Sequence, residues 1–223
     1  MLRQVERFFS LKKTPRHYEL YPDAGMRMPV EIPGATRDHL PALFAALGFT
    51  KGVELGTWQG EYAATICKHA PSVDLTCVDP WRVDPGYYDY RTWTQDQFDA
   101  VYETAKATLA QYPNATVLRR TSAEALTHFA NASLDFVYID GNHELTHVVF
   151  DLVNWARKVK PGGIIAGHDY VRLINNHGRT HVIAAVNAVA DSYNIHPVFL
   201  LGLRAKEIGV PRDRFRSFFW INP

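Results

Sequence analysis

Residues 53–62 read VELGTWQGEY. An apolar start carries a carboxylate at Glu54, then a turn flanked by Gly56 and Gly60, and a helical pattern begins immediately afterwards. Glycine has no Cβ, so a chain can turn tightly there and a ligand can lie against its backbone. Alone, the segment supports two readings: a bare strand-to-helix turn, or the floor of a ligand site. Its neighbours make it the first turn of a βαβ unit, with a strand over 52–55, a helix over about 60–69 and a second strand over 74–78. Asp79 stands at the tip of that second strand, 23 residues after Gly56. A carboxylate there can accept hydrogen bonds from both hydroxyls of a ribose, and it can equally cap the turn at Pro80.

Outward from this unit the alternation continues. An aromatic-rich loop over 81–93 leads to a helix over about 94–111, a strand near 115–118 and a short helix near 123–129. A strongly apolar strand follows at 134–139, then a helix over 145–159 ended by Lys160-Pro161-Gly162-Gly163, a strand at 163–166 and a helix near 180–193. Two candidate strands, 198–203 and 215–221, close the chain as an antiparallel hairpin. Upstream, a helix spans 38–47. Residues 1–37 form an N-terminal arm, a short helix and an irregular stretch broken by Pro15, Pro22, Pro29 and Pro33, and residues 38–223 form one domain. Alternating strands and helices predict an α/β, doubly wound, mostly parallel sheet covered on both faces. Ligands of such sheets sit outside the carboxyl ends of the strands, where strand order reverses. The polar residues at those tips are Glu54, Asp79, Asp140 to His143, and His168 with Asp169.

Bulk properties narrow the partners. The 223 residues, 47% hydrophobic, are enough for one well-buried core. Lysine and arginine number 24 against 23 acids, so no electrostatic footprint for DNA or RNA is expected and a small-molecule acceptor fits better. Cys67 and Cys77 fall in a predicted helix and strand, where buried, reduced thiols are expected. No apolar run reaches the roughly 18 residues needed to cross a bilayer, and residues 1–13 lack a signal-peptide apolar core. A cytoplasmic protein with no membrane partner is the expectation, with homo-oligomerisation open. Phe218, Phe219 and Trp220 read as sheet core or as an interface.

The dinucleotide fingerprint asks for a third glycine in G-x-G-x-x-G, whereas this loop reads Gly-Thr-Trp-Gln-Gly. Trp58 puts an indole where a pyrophosphate would have to approach. A cofactor without phosphates is favoured, which points to S-adenosylmethionine. ELGTWQGEYA, VDPW, TSAEAL, DFVYIDGNHE and VKPGGIIAGHDY occur in the order and spacing of the small-molecule O-methyltransferases, and over about 53–170 the chain resembles their catechol and macrolide-sugar types. The resemblance implies a Rossmann-like, class I methyltransferase fold with a seven-stranded sheet. It also implies that Glu54, Gly56, Trp58 and Gly60 line the methionine and ribose side, that Asp79 holds the ribose, and that Ser122 and Ala123 border the adenine. Asp140 then lies near the sulfonium, which as a cation needs a partner in a partly desolvated pocket.

Methyl transfer to a hydroxyl needs a deprotonating group and often a cation that lowers the hydroxyl pKa. In the resembling enzymes an acid at the fourth strand tip and two residues at the fifth bind a divalent cation. The matching positions are Asp140, His168 and Asp169. An acid is commoner at the position of His168. All-oxygen sites suit Mg²⁺, and an imidazole shifts preference toward Mn²⁺, Fe²⁺ or Zn²⁺. His168 can alternatively orient Asp169. His143, three residues after Asp140, is assigned as general base, with helix capping the competing role, and Asp140 shares the catalytic site. Trp81, Tyr87, Tyr88, Tyr90 and Trp93 can stack on a sugar or planar acceptor, or pack as a lid. His177 and His181 read as a solvated loop. Two other functions stand against the methyltransferase. A non-heme iron oxygenase would use His143, His168 and one aspartate but leaves Asp79 and the glycine turn unexplained, and a noncatalytic Rossmann-like module would keep the fold without turnover.

Overall fold

Strand Leu134–Ile139 is buried along its whole length, and its side chains supply both layers of the core. Phe136 and Tyr138 point to one face, Val137 and Ile139 to the other, the two-residue period of a pleated strand. The computed structural model in which this is seen describes residues 1–11, 29–87, 90–175, 178–205 and 207–223. In chain order the elements are α1 (Leu2–Phe8), β1 (Val30–Ile32), α2 (His39–Ala46), β2 (Lys51–Leu55), α3 (Glu61–His69), β3 (Asp74–Asp79), α4 (Gln95–Leu109), β4 (Ala115–Arg119) and α5 (Ser122–Ala125) with a 3-10 turn after it. Then come β5 (Leu134–Ile139), α6 (Leu145–Ala156), β6 (Val159–Gly167), a small hairpin β7 (Ile174–Asn175) and β8 (Gly178–Arg179), α7 (Val182–Ser192), β9 (Phe199–Leu201) and β10 (Phe218–Ile221).

The main sheet has eight strands in the order β1-β9-β10-β6-β5-β2-β3-β4. β4, β3, β2, β5 and β6 run parallel, and β10 inserts antiparallel between β6 and β9. The seven expected strands are present, and an eighth, β1, pairs parallel with β9. Three residues are too few to show a period, so this edge strand could be recognised only through its partner. One core layer is built from α2, α3 and one face of β3, β5, β6 and β9, and the other from α6, α7, Val53 and Leu55 of β2 and the opposite faces of β5 and β6. Phe218, Phe219 and Trp220 are buried in these layers, the sheet-core alternative of the two. Cys67 and Cys77 are free and buried, and no helix among the described residues is long and apolar enough to cross a membrane.

Local chemistry sets the helix starts. Thr94 and Gln97 form a reciprocal capping box at α4, and Thr121 with Glu124 does the same at α5. The end of α6 differs from expectation. It stops at Ala156, and β6 already begins at Val159, so Lys160-Pro161-Gly162-Gly163 lies inside the strand as a bulge between the pairs Val159–Leu134 and Ile164–Phe136. The C-terminus imposes this: Asn222 exchanges backbone bonds with Gly162 and Gly163 and donates its amide to the carbonyls of Ala156 and Val159. Gly52 is also fixed by its surroundings. A Cβ there would lie 2.1 Å from the Phe136 ring, and that ring is held by Phe44, stacked at 3.9 Å.

Asp135, at the start of β5, ties three strands at the end of the sheet remote from the predicted site. It accepts the backbone N–H groups of Thr50 (2.8 Å) and Lys51 (2.9 Å) and pairs with Lys160 at 2.7 Å. Burial would raise its pKa, but Lys160 and the two amides outweigh burial and hold it below the ordinary value. A depressed carboxylate stabilises the fold above its unfolded pKa of about 3.9 and loses that contribution as pH falls through the folded value. Asp135→Asn is expected to cost about 1.5–3 kcal/mol at pH 7, the worth of hydrogen bonds to a charged group. Urea titrations of both proteins should show the difference shrinking below about pH 4.

Candidate functional site

The strand order reverses between β2 and β5, and their tips press together there. Gly56 sits at φ +85, and a Cβ on it would fall 2.0 Å from the Asp140 carbonyl oxygen. The missing side chain thus serves the contact between the two tips. The ladders extend into the turns: Gly56 N–H donates to Val78, Asp140 N–H to Leu55 and His168 N–H to Ile139. Gly60 caps α3 in the left-handed region at φ +82.

A chamber of about 540 Å³ opens beside these tips, lined among others by Gly56, Trp58, Asp79, Ser122, Ala123 and Asp140. Six predicted cofactor residues therefore share one wall system. Asp79 both closes the turn and faces the chamber. Its oxygens accept the N–H groups of Trp58 (3.0 Å) and Trp81 (2.8 Å), leaving an acceptor direction on each oxygen for a ligand. Burial raises its pKa to about 6 against those two amides. Glu54 lies beneath the turn, 1% exposed. Burial pushes its pKa to about 8, offset in part by the Thr57 hydroxyl, and its Oε2 has no hydrogen-bond partner. On the opposite wall the Ser122 hydroxyl donates to Asp151 and accepts Trp155 Nε1–H at 2.7 Å. Burial raises Asp151 to about 7.

The four residues expected to perform chemistry meet at one edge of the chamber. His143 Nε2 is 2.9 Å from Asp169 Oδ2 and 3.7 Å from Asp140 Oδ1. His168 Nδ1 lies 3.6 Å from Asp140 and 3.4 Å from Asp169. Burial alone would lower the pKa of His168, but the two carboxylates outweigh it and raise it to about 9. In return, hydrogen bonds from His143 and His168 overcome burial and hold Asp140 and Asp169 below the ordinary carboxylate value. Among the described residues, the ligand-type atoms of Asp140, His143 and Asp169 fall within 4.8 Å of one another. This trio contains His143 in place of His168. Asp169 adopts φ +53, a backbone state uncommon outside glycine.

The aromatic loop packs mostly on itself. Trp58 stacks on Tyr90 at 5.1 Å and touches Trp93, and buried Trp81 donates Nε1–H to the Trp58 carbonyl at 2.8 Å. This favours the lid over the stacking surface. Tyr87 lines the chamber and brings its hydroxyl to 3.2 Å from His143 Nδ1. Tyr88 and His177 lie outside the described residues. His181 is half-buried, and its N–H donates to the His143 carbonyl at 3.0 Å, so it supports the site's backbone and is not a solvated loop residue.

Sequence reasoning missed Thr146, His147, Phe150 and Asp151, which line the chamber from α6. Their i, i+4 spacing was the available signal. It also missed Arg37, whose Nη1 is 3.6 Å from Asp140 Oδ2, and no local pattern marks it.

Known proteins agree with this architecture. The family described as "Methyltransferase domain" matches residues 53–170. The uncharacterized protein y4gI of Sinorhizobium fredii is 29% identical over 149 residues, 64% of this chain, and the chain spans 15% of that protein's length. Among solved structures, a protein assigned as an O-methyltransferase from Klebsiella pneumoniae superposes with a TM-score of 0.56 at 14% identity, covering 100% of this chain and 90% of that one. The cofactor-bound Rv0187 from MTB superposes at 0.55 and 14% identity, covering 99% and 89%. At these identities the structural likeness establishes the fold.

Gly56→Ala should be among the costlier single changes at the site. Overpacking against backbone costs about 1–3 kcal/mol and a left-handed non-glycine residue roughly 1–2 more. A loss of about 2–5 kcal/mol in denaturant unfolding is expected from these two effects together.

Proposed function

The chain belongs to the methyltransferase domain family, and from that premise we propose that it is an S-adenosylmethionine-dependent O-methyltransferase acting on a small hydroxylated metabolite such as a sugar or phenol. The observation that carries the choice of oxygen as acceptor is the environment of His143. One ring nitrogen is held 2.9 Å from the Asp169 carboxylate, and the other already faces a hydroxyl, that of Tyr87, at 3.2 Å. An acceptor hydroxyl taking the place of the Tyr87 hydroxyl would find a base with its carboxylate partner in position.

The chain's residues fit the cofactor. About 540 Å³ lies within the range of small-molecule sites, Asp79 keeps acceptor directions for a ribose, and buried Glu54 carries an unpartnered oxygen. Ser122 and Ala123 would border the adenine, and Asp140 would face the sulfonium. When bound, S-adenosylmethionine supplies a methyl group made electrophilic by its positive sulfur. His143 takes the acceptor's proton at Nδ1, Asp169 fixes the imidazole and balances the charge it gains, and the lid of Trp58, Tyr90 and Trp93 limits water.

A second reading rests on the convergence of Asp140, His143 and Asp169. One imidazole and two carboxylates suit a divalent cation of the Mn²⁺, Fe²⁺ or Zn²⁺ kind more than Mg²⁺. Such an ion would lower the acceptor hydroxyl's pKa, and His143 would then be a ligand. The originally matched trio, Asp140, His168 and Asp169, remains the alternative cation set. The balanced charge and the size of the chamber support a small acceptor, and the free, buried Cys67 and Cys77 support a cytoplasmic setting.

Two measurements test the proposal. Asp79→Ala should weaken S-adenosylmethionine binding strongly in calorimetry, and unchanged affinity would remove Asp79 from the site. His143→Ala should leave cofactor affinity near the parent's while slowing turnover by about 10² to 10⁴, the usual worth of a general base. Parent activity that survives chelation supports His143 as base, and activity lost to chelator and restored by Mn²⁺ supports the cation.

A further inference from the structure

S-adenosylmethionine carries two positive groups, the sulfonium and the ammonium, and one negative group, the α-carboxylate. At the predicted cofactor positions the strand tips offer acids, Glu54, Asp79 and Asp140, which suit the cations but give the carboxylate no positive partner, a costly state in a partly desolvated site. The imidazole of His168 is already placed between Asp140 and Asp169, so the partner sought is a further cation at the Glu54 and Asp140 end of the chamber, away from Ser122 and Ala123.

Arg37 stands there. It lies just ahead of α2, and its backbone is tied on both sides: its N–H donates to Asp213 at 2.7 Å and its carbonyl accepts the Tyr62 hydroxyl at 2.8 Å. The guanidinium lies over the Tyr62 ring, 4.7 Å from its centroid, which limits its rotamers. Nη1 stops 3.6 Å from Asp140 Oδ2, longer than a hydrogen bond, and the guanidinium also hydrogen-bonds the buried Tyr138 hydroxyl, which leaves the remaining donors of the fork for a ligand. The side chain keeps 31% of its exposure. Arg82 also reaches the chamber, but from the other end, where Glu124 is close enough to feel its charge.

We infer that Arg37 binds the α-carboxylate of the cofactor's methionine moiety, making with Glu54 a clamp that recognises the amino-acid end of the ligand. The inference rests on the S-adenosylmethionine reading above. Guanidinium and carboxylate match as a two-pronged pair, and Asp140 and Tyr62 hold the fork in place before the ligand arrives. Arg37 is a cofactor-binding residue contributed from outside the segment 53–170 that the family match covers.

The test is a cycle of two proteins and two ligands by calorimetry: parent and Arg37→Ala, each with S-adenosylhomocysteine and with decarboxylated S-adenosylhomocysteine. The parent should prefer the carboxylated ligand by about 10- to 100-fold, the range of a charge-assisted hydrogen-bonded pair. Arg37→Ala should lose that factor for S-adenosylhomocysteine and bind the decarboxylated ligand as the parent does. Arg37→Lys should recover part of the preference, since it keeps charge but not the fork. Equal weakening toward both ligands would make Arg37 a structural residue and overturn the inference, as would equal preference in the two proteins. A parent that binds neither ligand would refute the cofactor reading itself, and the clamp with it.

Discussion

The contact between Gly56 and the Asp140 carbonyl governs the geometry of the site. Both residues sit at the point where strand order reverses, and the backbones approach so closely that any side chain on Gly56 would enter the Asp140 carbonyl. Neighbouring strands are 4.7–4.9 Å apart by hydrogen bonding, but their tips usually diverge into loops. Here the bonds from Gly56 to Val78 and from Asp140 to Leu55 carry the ladder past the strand ends. The glycine turn and Asp140 are thereby one rigid unit. Trp58 and Asp79 follow from it, because the turn presents the Trp58 N–H to the Asp79 carboxylate.

Five carboxyl groups lie in or around the chamber, from the strand tips and from α6, and their surroundings separate them electrostatically. Glu54, Asp79 and Asp151 are raised by burial, to about 8, 6 and 7. Burial also acts on Asp140 and Asp169, yet the imidazoles of His143 and His168 hold them down. Burial disfavours charge and a cation within reach restores it. Burial therefore brings the protonation of Glu54, Asp79 and Asp151 toward neutral pH, while the corner formed by Asp140 and Asp169 keeps its negative charge. The lid adds a third feature. Its rings pack against each other, leaving the Tyr87 hydroxyl directed at His143, so the imidazole is coupled to the loop that covers it.

The peripheral elements serve this arrangement from a distance. Asn222 fixes the start of β6, β6 carries His168 and Asp169 to the site, and His181 at the start of α7 holds the His143 carbonyl. Arg37 reaches Asp140 from a segment more than a hundred residues upstream. Each link joins parts of the chain remote in sequence, and each fixes a residue that the strand tips present.

The sequence by itself determined the layered α/β fold and most of the strand-tip residues, because both depend on local regularities. A two-residue period, a capping residue or a glycine turn acts on its neighbours, and Glu54, Asp79, Asp140, His143, His168 and Asp169 could be found by counting to the end of each strand. The role of Gly56 required the structure, since the atom it makes room for belongs to residue 140. The eighth strand, the bulge through Lys160 to Gly163, the self-packing of the aromatic loop, the replacement of His168 by His143 in the tightest ligand group and the approach of Arg37 were decided by tertiary structure alone. In every one of these cases the deciding partner lies elsewhere in the chain, and no periodicity records a contact between segments that meet only after folding.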